Sequence, residues 1–449
     1  TTGDRSAMSR DTLAALRGSN LAHLLAISGL HMGLLTSFVF AAVRMGLSLI
    51  PGLALRVPVK KIAAVLALAA GAFYLALSGG NVATQRAFIM VAAMFVAVLF
   101  DRRALTLRAV ALAALIVLVL RPESLTEPGF QMSFAATTAL VTVFGALRDW
   151  RGWRAPRWAR PALAVVVSSA VAGLATAPFS AATFNQVSHY GLLANLLAVP
   201  LMGVVVMPGA VLAAVLAPLG LSWLALAVMR PALEWIMWVA HWVSGLDGAI
   251  GQVASPGPLV VPLIALGGLI VALIGGRLRW LGLGPVVVAL LMWMNAERPV
   301  LLISDTGGLV GVMGPEGRVL NKARGEGFVA GLWLGSDGDP ATQQSAAERL
   351  AGAHAPDAFW FDLGATRVAH LRGRQAAERV ASACAAGADL VILAAKGSDP
   401  PKDGRVIDGA YLARTGALAI DPDGEGLHEV SASALAGQRP WSSPSAPRR

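Results

Sequence analysis

Two histidines and a serine interrupt HLLAISGLH (23–31), a stretch otherwise suited to hydrocarbon. Hydrogen-bonding side chains are costly inside a membrane span, so they meet a partner or a water-filled path. On a continuous helix Ser28 and His31 are i, i+3 neighbours. His23 lies about 80° from His31, two turns away, so the three share a broad polar face. Gly29 and Gly33 remove bulk beside that face, which lets another helix or a ligand come close. Polar groups recur in other apolar blocks: Asn81, Thr84, Gln85 and Arg86; Gln131 and Ser133 in GFQMSF; Asn185, His189 and Asn195 in FNQVSHYGLLANLLAVP. Two readings stay open. Either these groups glue helices together, with Arg86 snorkelling to the headgroups, or they line an internal hydrophilic pathway.

Other chemistries find less support. Ser28 and His31 as nucleophile and base would need in-line geometry and a carboxylate partner, and the span carries no carboxylate. The His23–His31 spacing is not the i, i+4 pair of a helical zinc protease, and no GxxxxGK[ST] loop for a nucleotide occurs. The single cysteine, Cys384, excludes an intrachain disulfide and gives no basis for a cysteine-ligated metal. No cofactor or metal is expected. The loop RDWRGWRAPRWAR (148–160) interleaves arginines with Trp150, Trp153 and Trp158. Arg148, Arg151, Arg154 and Arg157 could neutralise phosphates while the tryptophans stack bases, although cytoplasmic arginines and an interfacial aromatic belt account for the same residues.

The elements that must position these groups follow from composition. Of the 449 residues, 56% are hydrophobic and only 14% charged, against about 25% charged in a soluble domain; mean hydropathy is +0.65. Apolar blocks near the ~20 residues needed to cross a bilayer centre in 21–43, 62–78, 84–100, 104–120, 130–147, 162–179, 190–217, 221–243, 258–276 and 280–295. The expected fold is a polytopic α-helical membrane bundle of about ten transmembrane helices, followed by a small soluble α/β domain. The block 190–217 holds Pro200 and Pro208, which break or kink a helix, so it could cross once or twice.

Charge sets the orientation. Residues 1–298 hold 21 Lys+Arg against 9 Asp+Glu, and residues 299–449 hold 15 against 17. The basic surplus falls in alternate loops: Arg44, Arg56, Lys60 and Lys61; Arg102, Arg103 and Arg108; Arg148 to Arg160; Arg277 and Arg279. The positive-inside rule makes these cytoplasmic and puts the region after Asn295 on the outer face.

Four regions are expected: an interfacial segment 1–20, a transmembrane region 21–297, an α/β domain 298–430 and a disordered tail 431–449. Short β-like runs (301–304, 308–313, 358–361, 389–395) with a helical stretch at 374–386 mark the α/β domain, and Ser/Pro richness marks the tail. The chain begins at Thr1 without an initiator Met or signal peptide, so the natural protein is expected to extend upstream.

HLLAISGLHMGLL, ATQRAFIMVAAMF (83–95), RPESLTEPGFQMSFAATTAL (121–140) and APFSAATFNQVSHYGLLANLLAVPL (177–201) together resemble the competence domain of the ComEC family of DNA-uptake proteins. The resemblance implies a bacterial inner-membrane channel that passes single-stranded DNA to the cytoplasm in natural transformation. Its path would be lined by His23, Ser28, Gly29, His31, Arg86, Gln131, Asn185 and Asn195. Partners would be the lipid bilayer, an outer-face DNA receptor and a cytoplasmic DNA motor or single-strand-binding protein. A polytopic transporter of a small molecule or lipid is the alternative. SDTGGLVGVMGPEGRVL (304–320) looks like a worn opening of the metallo-β-lactamase-like domain that ends many family members. The family's His-x-His-x-Asp-His cluster is absent, and His354, His370 and His428 stand isolated. No nuclease activity is therefore expected.

Overall fold

A helix satisfies every backbone N–H and C=O within its own segment, which hydrocarbon demands, and the apolar blocks of this chain fold accordingly. The computed structural model describes residues 8–25, 29–50, 52–149, 156, 158–349, 354–355, 358–373, 375–394, 405–423 and 426–437. It divides into one unit of Thr1–Gly251 with Gly257–Trp293 and a second of Gln252–Pro256 with Met294–Arg449.

In the first unit α1 is Arg10–Gly18, started by Ser9, whose hydroxyl accepts from the Thr12 N–H at 3.2 Å. There follow α2 (Gly29–Ser48), α3 (Val59–Leu77), α4 (Val82–Leu99), α5 (Leu107–Leu120), α6 (Pro128–Asp149), α7 (Arg160–Phe184), α8 (Gly191–Leu201), α9 (Met207–Leu216), α10 (Ser222–Ser244), α11 (Val260–Leu273) and α12 (Leu283–Met294). Among the described residues, eight of the expected blocks give helices long and apolar enough to cross a membrane. The other two, α5 and α11, have 14 residues each, or ~21 Å at the helical rise.

The proline-bearing block is one helical path. α8 and α9 join through a π turn, Met202–Val206, in which the Met207 N–H donates to Met202 O. Pro208 has no N–H to offer, and the wider turn absorbs the defect without a chain reversal. Together they form a single candidate span, Gly191–Leu219.

Small residues set the close helix contacts. Ala15, Leu16 and Leu24 are buried against Ala194, Ala198, Val239, Ala240 and Val243, joining α1 to α8 and α10. Met32, Tyr74, Ala87 and Val91 fill the space between α2, α3 and α4. Ala113, Val117, Phe130 and Phe134 do so between α5 and α6. A Cβ on Gly267 would stand 2.4 Å from Gly282 O, so α11 meets the turn before α12 backbone to backbone. The opposite faces carry exposed Leu115, Val119, Trp223, Trp235 and Trp238, as lipid-facing surfaces do.

One expectation fails here. Residues 23 and 31 do not lie on one continuous helix: Ala22–Leu24 is a 3-10 turn that Leu25 follows as a turn residue, and α2 is Gly29–Ser48. Asn20, at φ 61°, turns the chain through the left-handed region after α1, and the His23 ring donates through Nδ1 to Asn20 O at 2.9 Å. The shared polar face therefore does not exist in that form. Ser28 lies outside the described residues.

The second unit stacks two five-stranded sheets. The first runs β12-β11-β3-β4-β5, where β3 is Leu301–Ile303, β4 Val310–Gly314, β5 Gly317–Leu320, β11 Leu418–Asp423 and β12 Gly426–Ser431. The second runs β10-β9-β8-β7-β6, where β6 is His354–Ala355, β7 Ala358–Leu363, β8 Thr366–Leu371, β9 Leu390–Leu393 and β10 Arg405–Ile407. Leu301, Ile303, Val310, Phe359, Val368 and Ile392 form the core between them. Helix α13 (Gly327–Asp337) and α14 (Gln343–Glu348) cover the first sheet through Ala330, Leu334 and Ala346. Helix α15 (Val380–Ala385) covers the second. The order of layers is helix, sheet, sheet, helix. Helix α16 is Gly409–Thr415, and α17 is Ala432–Ala436, inside the stretch expected to be a disordered tail. Its Ser431 cap accepts from the Ala434 N–H, which explains how so short a Ser/Ala segment stays helical.

His370 sits in this core, 1% exposed, with Nε2 3.0 Å from Gly307 O and Nδ1 3.1 Å from Asn321 Nδ2. The carbonyl accepts, so Nε2 carries the proton and Nδ1 accepts. Burial pushes the His370 pKa down to about 4 against the Gly307 bond, so the folded ring is neutral at pH 7. An unfolded histidine titrates near 6.5. Stability from this residue is therefore complete above about pH 6.5 and is lost as pH falls toward 4. Amide-exchange protection of β3, β8 and β9 in the full chain should fall across that window, and His370→Asn should flatten the fall. An unchanged profile in the variant would refute the assignment.

Candidate functional site

Arg86 owes its position to two helix starts. Asn81 caps α4, accepting from the Thr84 N–H and hydroxyl, both at 3.0 Å, and this puts Arg86 just over one turn inside. Pro122–Thr126 forms a 3-10 turn that ends at Glu127, immediately before Pro128 opens α6. The Arg86 guanidinium donates to Glu127 Oε2 at 3.0 Å. Arg86 is 8% exposed and its Nε has no partner. The guanidinium lies across Gly129, where an added Cβ would stand 2.3 Å from one of its nitrogens. Gln131, one turn into α6, donates to Leu125 O at 3.1 Å and steadies the turn that presents Glu127. Sequence reasoning picked Arg86 and Gln131 but missed Glu127. The available signal was a carboxylate beside Pro-Gly at a helix start, in a chain whose membrane part holds few acids.

A second polar group gathers the end of α1, the segment after α7 and the segment after α10. Asn185 caps α7 in the left-handed conformation, φ 55°. Strand β1 (Gln186–Ser188) then pairs with β2 (Ile250–Gln252). Ser188 donates to Gly18 O at 2.7 Å. His189 donates its N–H to Ala249 O at 3.0 Å and its Nδ1 to Gly248 O at 2.7 Å. Both glycines at this junction are required by space. A Cβ on Gly251 would stand 2.7 Å from the His189 ring, and one on Gly191 would stand 2.8 Å from Asn20 Cβ.

The remaining expected residues fall around these groups. His31 is 7% exposed and interacts with His23 and the Leu24 backbone. Gly29 and Gly33 face open space, with no described heavy atom within 4 Å of an added Cβ; they are not close-packing glycines. Asn195, one turn into α8, has a buried Oδ1 without a partner. Gln85 donates to Gly80 O at 2.6 Å, so Asn81, Thr84 and Gln85 all serve the start of α4.

At the other ends of the helices, Arg148 closes α6 beside Asp149 and lines a cavity of about 950 Å³. Arg103, Arg108 and Arg279 line it too. Sequence reasoning used those three only as markers of orientation. Arg151, Arg154 and Arg157, with Trp150 and Trp153, lie outside the described residues. In the second unit the histidines are dispersed over β6, β8 and β12. Among the described residues no three His, Cys, Asp or Glu side chains are placed to hold a metal ion.

Apolar outer faces and polar groups gathered at helix ends define a multi-pass membrane protein. A model of the competence protein family matches residues 1–278, most of the chain and nearly all of its helical unit. The chain belongs to that family, which bears out the resemblance read from the sequence. ComE operon protein 3 of Bacillus subtilis (strain 168) is 27% identical over 272 residues, covering 59% of this chain and 32% of the relative. The chain thus matches about a third of that relative's length. No solved structure matches it.

The packing of Arg86 on Gly129 yields a thermodynamic cycle. Gly129→Ala should lower the melting temperature of the detergent-solubilised chain, and Arg86→Met should make the same change nearly neutral, a coupling of roughly 1–3 kcal/mol. Independent, additive effects would show that the guanidinium does not lie where it is described.

Proposed function

We propose that this chain passes one strand of incoming DNA across the bacterial inner membrane into the cytoplasm during natural transformation. The observation that carries the reading is the family match, which covers both polar groups at the helix ends. The geometry supports it. A single strand presents a charge at every nucleotide, so a route across ~30 Å of hydrocarbon must replace water at each phosphate. Conduction needs donors that bind weakly and repeatedly. Neutral His23, His31, Gln131, Asn185 and Asn195 are such groups. Arg86 adds one attractive charge, which Glu127 holds in the absence of substrate. A phosphodiester reaching Arg86 takes the place of that carboxylate and leaves it as the next phosphate competes. Gly29, beside open space, gives the passage width.

On this reading the basic loops are cytoplasmic and the second unit is periplasmic. Its sheet-on-sheet layers between helices support reading it as a degenerate metallo-β-lactamase-like domain. Driving force comes from a separate cytoplasmic motor or from proteins that bind the emerging strand.

The test is entry of labelled DNA into transformable cells carrying His31→Ala, Gln131→Ala or Glu127→Gln, with protein level checked by immunoblot. At least a tenfold loss of entry at normal protein level is expected. Normal DNA entry with altered movement of another solute would replace the channel by a small-molecule or lipid transporter.

A further inference from the structure

The cavity at the arginine-rich helix ends has two chemically distinct parts. One part carries Arg103 and Arg108 from the segment around the start of α5, Arg148 from the end of α6, and Arg279 from the turn before α12. Asp149 is the acid among its lining residues and already pairs with Arg148 at 3.2 Å. The Nε of Arg279 is buried without a partner. The rest of the described lining is largely apolar, with Leu107 from α5, Leu140, Val141 and Phe144 from α6, and Ala272 from α11; of the hydroxyls beside them, Thr142 and Ser168 donate within their own helices to Thr138 O and Val165 O, and Thr106 caps α5 by accepting from the Ala109 N–H. Thr137, the described lining residue of α6 farthest along the helix from Arg148, spends its hydroxyl on Ser133 O at 2.8 Å and so offers a ligand no free donor.

Depth identifies the occupant. From Arg148 to Thr137 the cavity follows eleven residues of α6, ~17 Å at the helical rise, close to one leaflet's half of a ~30 Å hydrocarbon core. All four arginines stand in or beside the loops that the positive-inside distribution assigns to one side, where anionic lipids concentrate. A polynucleotide would need aromatic platforms and hydrogen-bonding walls along its course, whereas among the described lining residues Phe144 is the one aromatic side chain. A phosphate-bearing headgroup on an acyl chain matches both parts.

We propose that this cavity, between α5, α6, α7 and α11, is a binding site for an anionic phospholipid of the cytoplasmic leaflet. The phosphate sits among Arg103, Arg108, Arg148 and Arg279, and an acyl chain runs along Leu140, Val141 and Phe144. The lipid completes the packing of helices whose facing surfaces leave a gap of about 950 Å³. This inference is independent of whether the chain conducts DNA.

The test uses the full chain purified in neutral detergent, with native mass spectrometry reading retention of tetraoleoyl cardiolipin against dioleoyl phosphatidylcholine. Two kinds of variant separate charge from cavity. Arg108→Gln removes a phosphate contact and should lower cardiolipin retention roughly fivefold, near the contribution of one arginine at a lipid surface. Val141→Trp fills the acyl channel without changing charge and should lower it at least as much. Melting temperature in the presence of phosphatidylcholine alone checks that each variant is folded; a variant that fails this check is replaced by Arg103→Gln or Leu140→Trp, which probe the same two parts. Loss with the arginine variant but full retention with the tryptophan variant would mean diffuse attraction to a basic surface and would overturn the site. Displacement of cardiolipin by a short single-stranded oligonucleotide at comparable concentration would also overturn it, assigning the cavity to nucleic acid.

Discussion

A polar side chain placed where water is scarce must find its partner within the chain, and in the helical unit this requirement decides where elements start and stop. An unmet hydrogen bond in hydrocarbon costs several kcal/mol, more than any helix propensity contributes per residue. Asn81 fixes the first residue of α4 because its carboxamide oxygen takes two donors of the opening turn. Glu127 fixes the first residue of α6 because Pro128 needs no acceptor and Arg86 needs one. The kink between α8 and α9 obeys the same rule: Pro208 brings no N–H to the ladder, and the turn before it widens so that the Met207 N–H still reaches a carbonyl, Met202 O.

Glycine serves these polar junctions more than it serves flexibility. Gly129, Gly191 and Gly251 each lie under a polar side chain, where a methyl group would displace it. Helix packing by small residues, the usual reading of membrane glycines, applies at Gly267 and Gly282. It does not apply at Gly29 and Gly33, where no packed neighbour stands. Glycines of one composition thus do three different things, and only the coordinates separate them.

How much of this was legible in the sequence follows from the range of each interaction. Apolar blocks and alternate basic loops are local or cumulative properties, so the helices fell close to their expected positions, as did strands β3, β4, β7 and β9. The break after α1 was not legible, because a helical wheel assumes the helix it is used to analyse. The 3-10 turn at Ala22–Leu24 cancels that assumption. Strands β8, β11 and β12 carry polar residues such as Arg367, Asp421 and His428 at intervals that blur a β pattern, and their partners lie far along the chain. The Arg86–Glu127 pair joins residues 41 apart and depends on how α4, α5 and α6 pack. Residue types alone could nominate Arg86 but not supply its partner.

Two arginines of this protein show why the bonding of a buried charge says more than the charge itself. Arg318, wholly buried, makes four bonds: its guanidinium donates to Gly311 O at 3.1 Å, Pro299 O at 2.9 Å and Asp337 Oδ1 at 3.0 Å, with a further bond to the same carboxylate. Each donor so placed resists exchange, since any competitor must break several bonds together, and the residue fastens β5 to α13. Arg86 has one bond, to a carboxylate that is 35% exposed, and an unused Nε. A guanidinium presents five N–H donors in a planar fork suited to phosphate, so Arg86 retains most of its capacity. A pair built only to hold α4 against α6 would gain by filling those donors from nearby carbonyls, as Arg318 does. On the proposed function, its incompleteness suits a cation whose anion changes.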